Sequence, residues 1–281
     1  MAIELHTLTA ATLDAADAVL VAAYGGTSRR ARLANYLRLQ PGGWVLAEFD
    51  GAVAGVAGAT NYGPFAYIGL VGVSPAYQRR GVALAMMHYL LGWLSANGNP
   101  PVMLDASPAG APLYEKLGFA DDDHTVSFVR DKPAPLPPHD PAVRHLTPDD
   151  LPAVAAFDAP IFGADRSAVL KLLLNEIPQR AFVLHDPGGA VSGYLFAQDD
   201  KLGPWAAATP TAAEALLGAA LTLDYAAGPY VLATSSNTQA AALLRRYGFS
   251  ATRALRHMRL GGEQPPGQLA CMYGRASFAI G

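Results

Sequence analysis

Apolar and polar positions alternate with period two in some stretches of the chain and recur at helical spacing in others. Residues 3–8 alternate as a strand does. Behind the N-cap candidates Thr9 and Thr12, Leu13, Ala16, Leu20 and Ala23 recur as one face of a helix. Tyr24-Gly25-Gly26-Thr27-Ser28-Arg29-Arg30 breaks it, and Leu33, Tyr36, Leu37 and Leu39 mark a second helix, ended by Pro41-Gly42-Gly43. Trp44–Phe49 and residues 52–59 predict a hairpin across Asp50-Gly51, a favoured two-residue turn. A strand at Ala66–Val73 then meets Ser74-Pro75, and the pattern turns helical, with Arg79-Arg80-Gly81 as the predicted first turn. Residues 84–94 are apolar on nearly every face, which predicts a well-buried helix. Val102–Ala106 is the next strand, and the stretch from Ser107 to Phe119 gives a short helix ended by a glycine cap. Residues 125–130 read as a strand.

Five prolines between Asp131 and Pro141 exclude a helix or an inner strand and predict a stiff linker. Past it the pattern starts over. Gly189-Ala190-Val191-Ser192-Gly193 repeats Gly51-Ala52-Val53-Ala54-Gly55, and Leu243 to Phe249 repeats Leu113 to Phe119. Self-similarity at this spacing predicts a duplicated domain: residues 1–130, a linker at 131–141, and a second copy over 142–281. The second copy is shorter between those marks. Thr209-Pro210 opens its helix where the first copy has Gln78-Arg79-Arg80-Gly81, and Leu244 stands in the place of Tyr114. Residues 276–281, mostly apolar, are expected to form a terminal strand.

The stretch after Pro75 carries chemistry. A helix start leaves its first backbone N–H groups without intrahelical partners and gathers partial positive charge there. Gly81 offers no side chain to block an approach, and Arg79 and Arg80 add full charges, a combination suited to a pyrophosphate. Gln78-Arg79-Arg80-Gly81-Val82-Ala83, placed after Val71-Gly72-Val73-Ser74-Pro75, resembles the acetyl-CoA pyrophosphate loop of the GNAT (Gcn5-related N-acetyltransferase) family. Ser107 to Phe119 is similar to a second segment of that family, with matches at Tyr114, Gly118 and Phe119. Ser107 stands where the family has Asn, and Gly110 where it has Ala.

The resemblance implies an α/β (α+β) fold: two tandem GNAT-like domains, each a central, mixed, mostly antiparallel sheet flanked by helices. It implies a bulge at residues 71–73 that parts this strand from Val102–Ala106, with Val71, Gly72, Val73, Gln78, Arg79, Arg80, Gly81, Val82, Ala83, Ser107 and Tyr114 holding acetyl-CoA. Tyr114 is the expected general acid, because a phenol stays protonated at neutral pH and matches a thiolate in basicity. The strand before the loop holds no acid, so Asp105, set among apolar neighbours at the expected parting, is the candidate for a base or an ammonium ligand, with Glu48 weaker. Tyr24 and Arg30 lie in the loop that walls the acceptor in relatives. Asp158 and Phe162-Gly163-Ala164-Asp165-Arg166 resemble the C-terminal module of tandem bacterial members, which raises Asp165 and Arg166 as acceptor contacts.

The remaining composition narrows the partners. A net charge of −3 gives no general pull toward nucleic acid or anionic lipid, and the single cysteine, Cys271, excludes an internal disulfide. No Cys/His cluster has zinc spacing, so no metal is expected. No signal peptide and no spanning run are evident, and a cytoplasmic protein is expected. The expected activity is direct transfer of an acetyl group to a primary amine of a small molecule or peptide. A homodimer is compatible with the sequence. Two other readings stay open: an acyl-CoA sensor without turnover, and a tandem-domain aminoacyl transferase.

Overall fold

The computed structural model describes residues 2–262 and 266–281. The first half runs β1 (Ile3–Thr7), α1 (Leu13–Tyr24), α2 (Arg30–Leu39), β2 (Trp44–Phe49), β3 (Ala52–Asn61), β4 (Ala66–Val73), α3 (Val82–Ala96), β5 (Val102–Ala106), α4 (Ala111–Lys116) and β6 (Ala120–Arg130). The second runs β7 (Arg144–His145), α5 (Leu151–Phe162), α6 (Ser167–Glu176), β8 (Ala181–His185), β9 (Val191–Ala197), β10 (Lys201–Ala207), α7 (Pro210–Leu221), β11 (Tyr230–Thr234), α8 (Thr238–Arg246), β12 (Phe249–Leu260) and β13 (Met272–Gly274).

Local chemistry accounts for the boundaries. The Thr9 N–H donates to Thr12 Oγ1 at 3.1 Å, closing a turn just ahead of α1. Asp50 and Gly51 both have positive φ, 49° and 80°, as the tight β2–β3 turn requires. Thr209 Oγ1 accepts from the Ala212 N–H at 3.1 Å and Pro210 fills the first helical position, which starts α7.

Among the described residues all thirteen strands belong to one sheet, mostly antiparallel, in the order β1-β2-β3-β4-β5-β12-β6-β11-β10-β9-β8-β7, with β13 paired to β10. The order reveals an exchange. β12, from the end of the chain, pairs with β5, while β6 pairs with β11. Each half therefore lends one long strand to the other, and β6 and β12 pair with one another at the centre. Packing follows the exchange: Met258 of β12 is buried in the core under α3, and Phe128 of β6 in the core under α7. Residues 131–141 connect two sequence copies whose sheets are closed by each other's strands.

Three expectations are corrected. The α3 helix begins at Val82, and Arg79, Arg80 and Gly81 lie ahead of it in a turn. That helix buries one face only, through Val82, Met86, Met87, Leu90 and Leu94, while Leu84 is 39% exposed. Residues 276–281 form a tight turn in place of a strand: the N–H groups of Ala276 and Ser277 donate to Gly281 O at 2.8 and 3.3 Å. The turn lies on β4, where Gly69 admits it; a Cβ at that position would stand 2.3 Å from the Ala279 Cα.

Candidate active site

The site begins with a defect in the sheet. Between β3 and β4 the register passes from Val56↔Gly72 to Gly58↔Gly69, so β4 carries one extra residue. Leu70 takes it up at φ 52°, a left-handed bulge one residue earlier than the expected 71–73. The consequence appears on the other edge. β4 and β5 pair only at Ala66↔Val102 and Tyr67↔Met103, and beyond that they part. A wedge opens between residues 68–73 and 104–106.

At the wide end of the wedge, Pro75–Tyr77 makes one 3-10 turn, and Arg79 and Gly81 follow with φ 59° and 86°. Gln78 Nε2 donates to Val73 O at 3.1 Å, tying the loop to the end of β4. Arg80 lies over the Phe49 ring at 5.4 Å. Gln78, Arg79, Arg80 and Gly81 are exposed, Val82 is buried and Ala83 half-buried. The Gly81 carbonyl accepts from the Ala85 N–H at 2.9 Å, so the amides of the first turn point out of α3 without intrahelical partners. A Cβ on Gly81 would meet only Ile3 Cδ1, at 3.8 Å, so the space ahead of those amides is open. These residues fit a diphosphate.

Tyr114 is buried against the same core as α3, edge-on to Phe119 at 6.0 Å. Burial pushes its hydroxyl up to about 12. Gly110 gives the ring room, since a Cβ there would stand 3.0 Å from its Cε2. Ser107 Oγ accepts from the Gly110 N–H at 3.2 Å at the start of α4. Tyr24 is half-exposed, yet its hydroxyl donates to Val71 O at 2.7 Å, on the bulged edge of the wedge. Arg30 pairs with Asp14 on the surface between α1 and α2. Glu48 lies on β2 beside His6, with β3 between it and the wedge.

The face of the sheet opposite α3 holds a polar cluster inside the protein. The Asp105 carboxylate accepts from the Tyr67 hydroxyl at 2.5 Å and the Thr125 hydroxyl at 2.6 Å, and its Oδ1 lies 3.0 Å from His257 Nδ1. The Asp105 side chain has no exposed surface and the His257 side chain is 4% exposed. His257 comes from the exchanged strand β12, directly across from Asp105, and its ring stacks on Tyr67 at 5.9 Å. Burial alone would raise the Asp105 carboxyl, but the His257 hydrogen bond and charge, then Arg275 and Thr125, carry it below the usual carboxylate range. The same burial, with Asp105 beside it, pushes the Tyr67 hydroxyl well up. Because the carboxylate only accepts, the proton between it and His257 resides on Nδ1.

This cluster makes a stability prediction. A carboxyl with a lowered folded value stabilises the fold above its unfolded value near 4 and loses that contribution as pH falls through the folded value. Asp105→Asn should cost about 3 kcal/mol at pH 7 in urea unfolding and less at pH 3. Equal costs at both pH values would contradict the account.

In the second half, Asp165 is exposed and caps the start of α6, accepting from the Ser167 N–H at 2.7 Å. Arg166 is interior: its Nε and Nη2 donate to Asp158 at 2.7 and 2.9 Å, Nη2 also to Tyr194 Oη at 3.1 Å, and the Phe162 ring lies 4.0 Å away. Neither stands on the wedge between β4 and β5.

Residues 12–119 match the model of the acetyltransferase (GNAT) family, and residues 154–274 match a second acetyltransferase (GNAT) domain model. The chain belongs to the GNAT family. With two such domains it is a tandem member. An uncharacterised N-acetyltransferase of Bacillus subtilis, YitH, is 29% identical over 150 residues, a match covering 52% of this chain and 51% of that protein. This chain therefore aligns with about half the length of its curated relative. A putative acetyltransferase of Pyrococcus horikoshii has a similar structure at 26% identity and a TM-score of 0.86, covering 99% of this chain and 96% of that one. A tandem GNAT protein from the clavulanic acid biosynthesis pathway shares the fold at 16% identity, with a TM-score of 0.64 and coverage of 94% and 100%.

Within this tandem GNAT chain the two wedges differ. β10 and β11 pair in parallel at Lys201↔Tyr230 and Leu202↔Val231, as β4 and β5 do, and then part. The second gap is filled: β13 pairs with β10 through Trp205↔Gly274 and Ala206↔Met272, and the following Arg275 N–H donates to Leu232 O of β11 at 2.8 Å. Leu244, the counterpart of Tyr114, is fully buried. Among its described residues the later half lacks the loop, the phenol and the open slot.

His257 is the residue that sequence reasoning missed. It stands 152 positions from its partner Asp105, and only the strand exchange makes them neighbours. An isolated histidine within Arg256-His257-Met258 carries no pattern that points to Asp105.

Proposed function

We propose that the protein transfers the acetyl group of acetyl-CoA to a primary amine of a small molecule, by direct attack, using the first half alone to hold the coenzyme. The observation that carries this reading is the contrast between the open wedge of β4 and β5, capped by exposed amides and two arginines, and the later wedge plugged by β13. Acetyl-CoA supplies an acyl group activated as a thioester. The chain's residues manage approach and protons. Arg79, Arg80 and the amides ahead of α3 neutralise the diphosphate. Past Tyr67 the edge of β4 that faces the gap has no strand partner, as an added strand requires, with Val71 O and Val73 O held by the Tyr24 and Gln78 side chains. As the neutral amine nitrogen bonds to the acyl carbon and the carbon–sulfur bond breaks, the sulfur takes the Tyr114 hydroxyl proton, and the proton shed by the nitrogen passes through solvent to restore that hydroxyl. A hydroxyl held near 12 remains protonated at every physiological pH.

The test is calorimetric titration of acetyl-CoA into the full chain, followed by a screen of primary amines for thiol release. Binding at one coenzyme per chain is expected. Two equivalents, or no thiol release with any amine, would contradict the proposal.

A further inference from the structure

β1 is the outermost strand at its end of the sheet and pairs with β2 alone. Ile3 and Leu5 turn onto the core under α3, so Glu4 and His6, the alternate residues, stand on the opposite face. The antiparallel register sets Glu4 directly across from Glu48 of β2. His6 lies two residues along the same face, and its Nε2 is 3.9 Å from Glu4 Oε2 and 3.9 Å from Glu48 Oε2. One imidazole nitrogen and two carboxylate oxygens therefore lie within 4.8 Å of one another. The side chains of Glu4, His6 and Glu48 are 65%, 49% and 30% exposed, so an ion can reach all three from solvent.

Two carboxylates directly opposite each other on paired strands repel. Among the described residues, the only ion-pair partner of either is His6. The ladder nonetheless holds the pair in place. β1 and β2 pair without a break from Ile3↔Phe49 to Thr7↔Val45. Beyond those ends the Ala2 N–H donates to Asp50 Oδ1 and the Leu8 N–H to Trp44 O, both at 2.8 Å. The backbone thus fixes where the three donors start, and only side-chain torsions remain to be set. In a tetrahedral zinc site with bonds of about 2.0–2.2 Å, the donors stand roughly 3.4 Å apart. The two 3.9 Å separations exceed that by roughly half an ångström, within the reach of side chains this exposed.

We infer that Glu4, His6 and Glu48 hold one zinc ion, with water in the fourth position, and that the ion clamps the edge strand to the sheet. The donor set selects the metal: imidazole suits zinc, whereas Mg²⁺ and Ca²⁺ take oxygen ligands. The ion's charge turns a repelling pair into a bridge between strands. Ile3, beside Glu4, is the side chain nearest the open space at Gly81, so the clamped strand also borders the phosphate loop. The inference stands apart from the acyltransferase reading. No Cys/His spacing announces the site, because Glu48 joins Glu4 and His6 only through the β1–β2 register.

The test is titration of zinc chloride into the chelator-stripped full chain by calorimetry, with thermal unfolding followed in parallel. One equivalent should bind with micromolar affinity, and saturating zinc should raise the unfolding midpoint by about 4 °C or more. Magnesium chloride at the same concentrations should do neither. His6→Gln, Glu4→Gln and Glu48→Gln should each weaken zinc binding at least about 10-fold, since even groups that only support a ligand are worth that much. Glu4→Gln gives a second readout. It removes the repulsion, so without zinc it should unfold no earlier than the wild-type chain, and with zinc it should unfold earlier. Absence of zinc binding, or an equivalent that all three variants retain at unchanged affinity, overturns the inference. So does a midpoint that zinc raises equally in the wild-type chain and in His6→Gln.

Discussion

Gly81→Asp should abolish acetyl-CoA binding, weakening it by about 100-fold or more in calorimetry of the full chain. The position is open enough to accept the side chain, since a Cβ there touches only Ile3 Cδ1 at 3.8 Å, so the loss would not come from a clash inside the protein. Its φ of 86° is left-handed, which Asp tolerates better than most residues, and the backbone cost is limited to about 1–2 kcal/mol. What changes is charge. A carboxylate set among the amides that should receive a diphosphate opposes it by roughly 3 kcal/mol even with partial screening. Gly81→Ala is the control: it imposes a similar backbone cost without the charge and should lose far less affinity. If the two variants bound acetyl-CoA equally, the diphosphate would not lie at this turn.

Tyr114→Phe should reduce kcat by about 10² to 10³-fold while acetyl-CoA affinity stays within about twofold. The ring is fixed by packing against Phe119 and the α3 core, and phenylalanine preserves that packing. Only the hydroxyl is removed, and with it the proton delivered to sulfur. Because burial raises this hydroxyl to about 12, its acid form persists as pH rises, and wild-type turnover should not fall from loss of this proton below about pH 11. An unchanged kcat in the variant would return Tyr114 to a packing role. A fall in affinity that matched the fall in kcat would point to coenzyme positioning in place of proton transfer.

Features encoded by neighbouring residues were legible in the sequence. The Asp50-Gly51 turn, the Thr209-Pro210 helix start and the glycine-bearing loop after Pro75 each depend on a few adjacent side chains and their backbone preferences, whereas the bulge before Pro75 was expected only from the family resemblance and lies one residue earlier. The exact start of α3 was not legible, because Arg79 has good helix propensity and its left-handed φ is imposed by the loop closing onto Val73 through Gln78. Arg166 shows the limit for single residues. As a charged side chain after a turn it reads as exposed, yet Asp158, eight positions earlier, draws it into the core. The exchange of β6 and β12 lay wholly beyond local reasoning. Either strand carries apolar positions that could close its own half, and the choice between the two closures is made by long-range pairing alone.

That exchange also makes the halves interdependent at the site. The ring that meets Asp105 comes from beyond residue 249, while the coenzyme wedge is built by residues before 120. The later half thus closes the sheet beside the first wedge with β12, having filled its own wedge with β13.

The most direct measurement is a crystal structure of the full chain with coenzyme A. Density for pantetheine is expected between β4 and β5, with the diphosphate against the amides ahead of α3 and the sulfur within reach of Tyr114. Coenzyme lodged between β10 and β11 with β13 displaced, or bound elsewhere with the first wedge empty, would contradict the division of labour between the two halves.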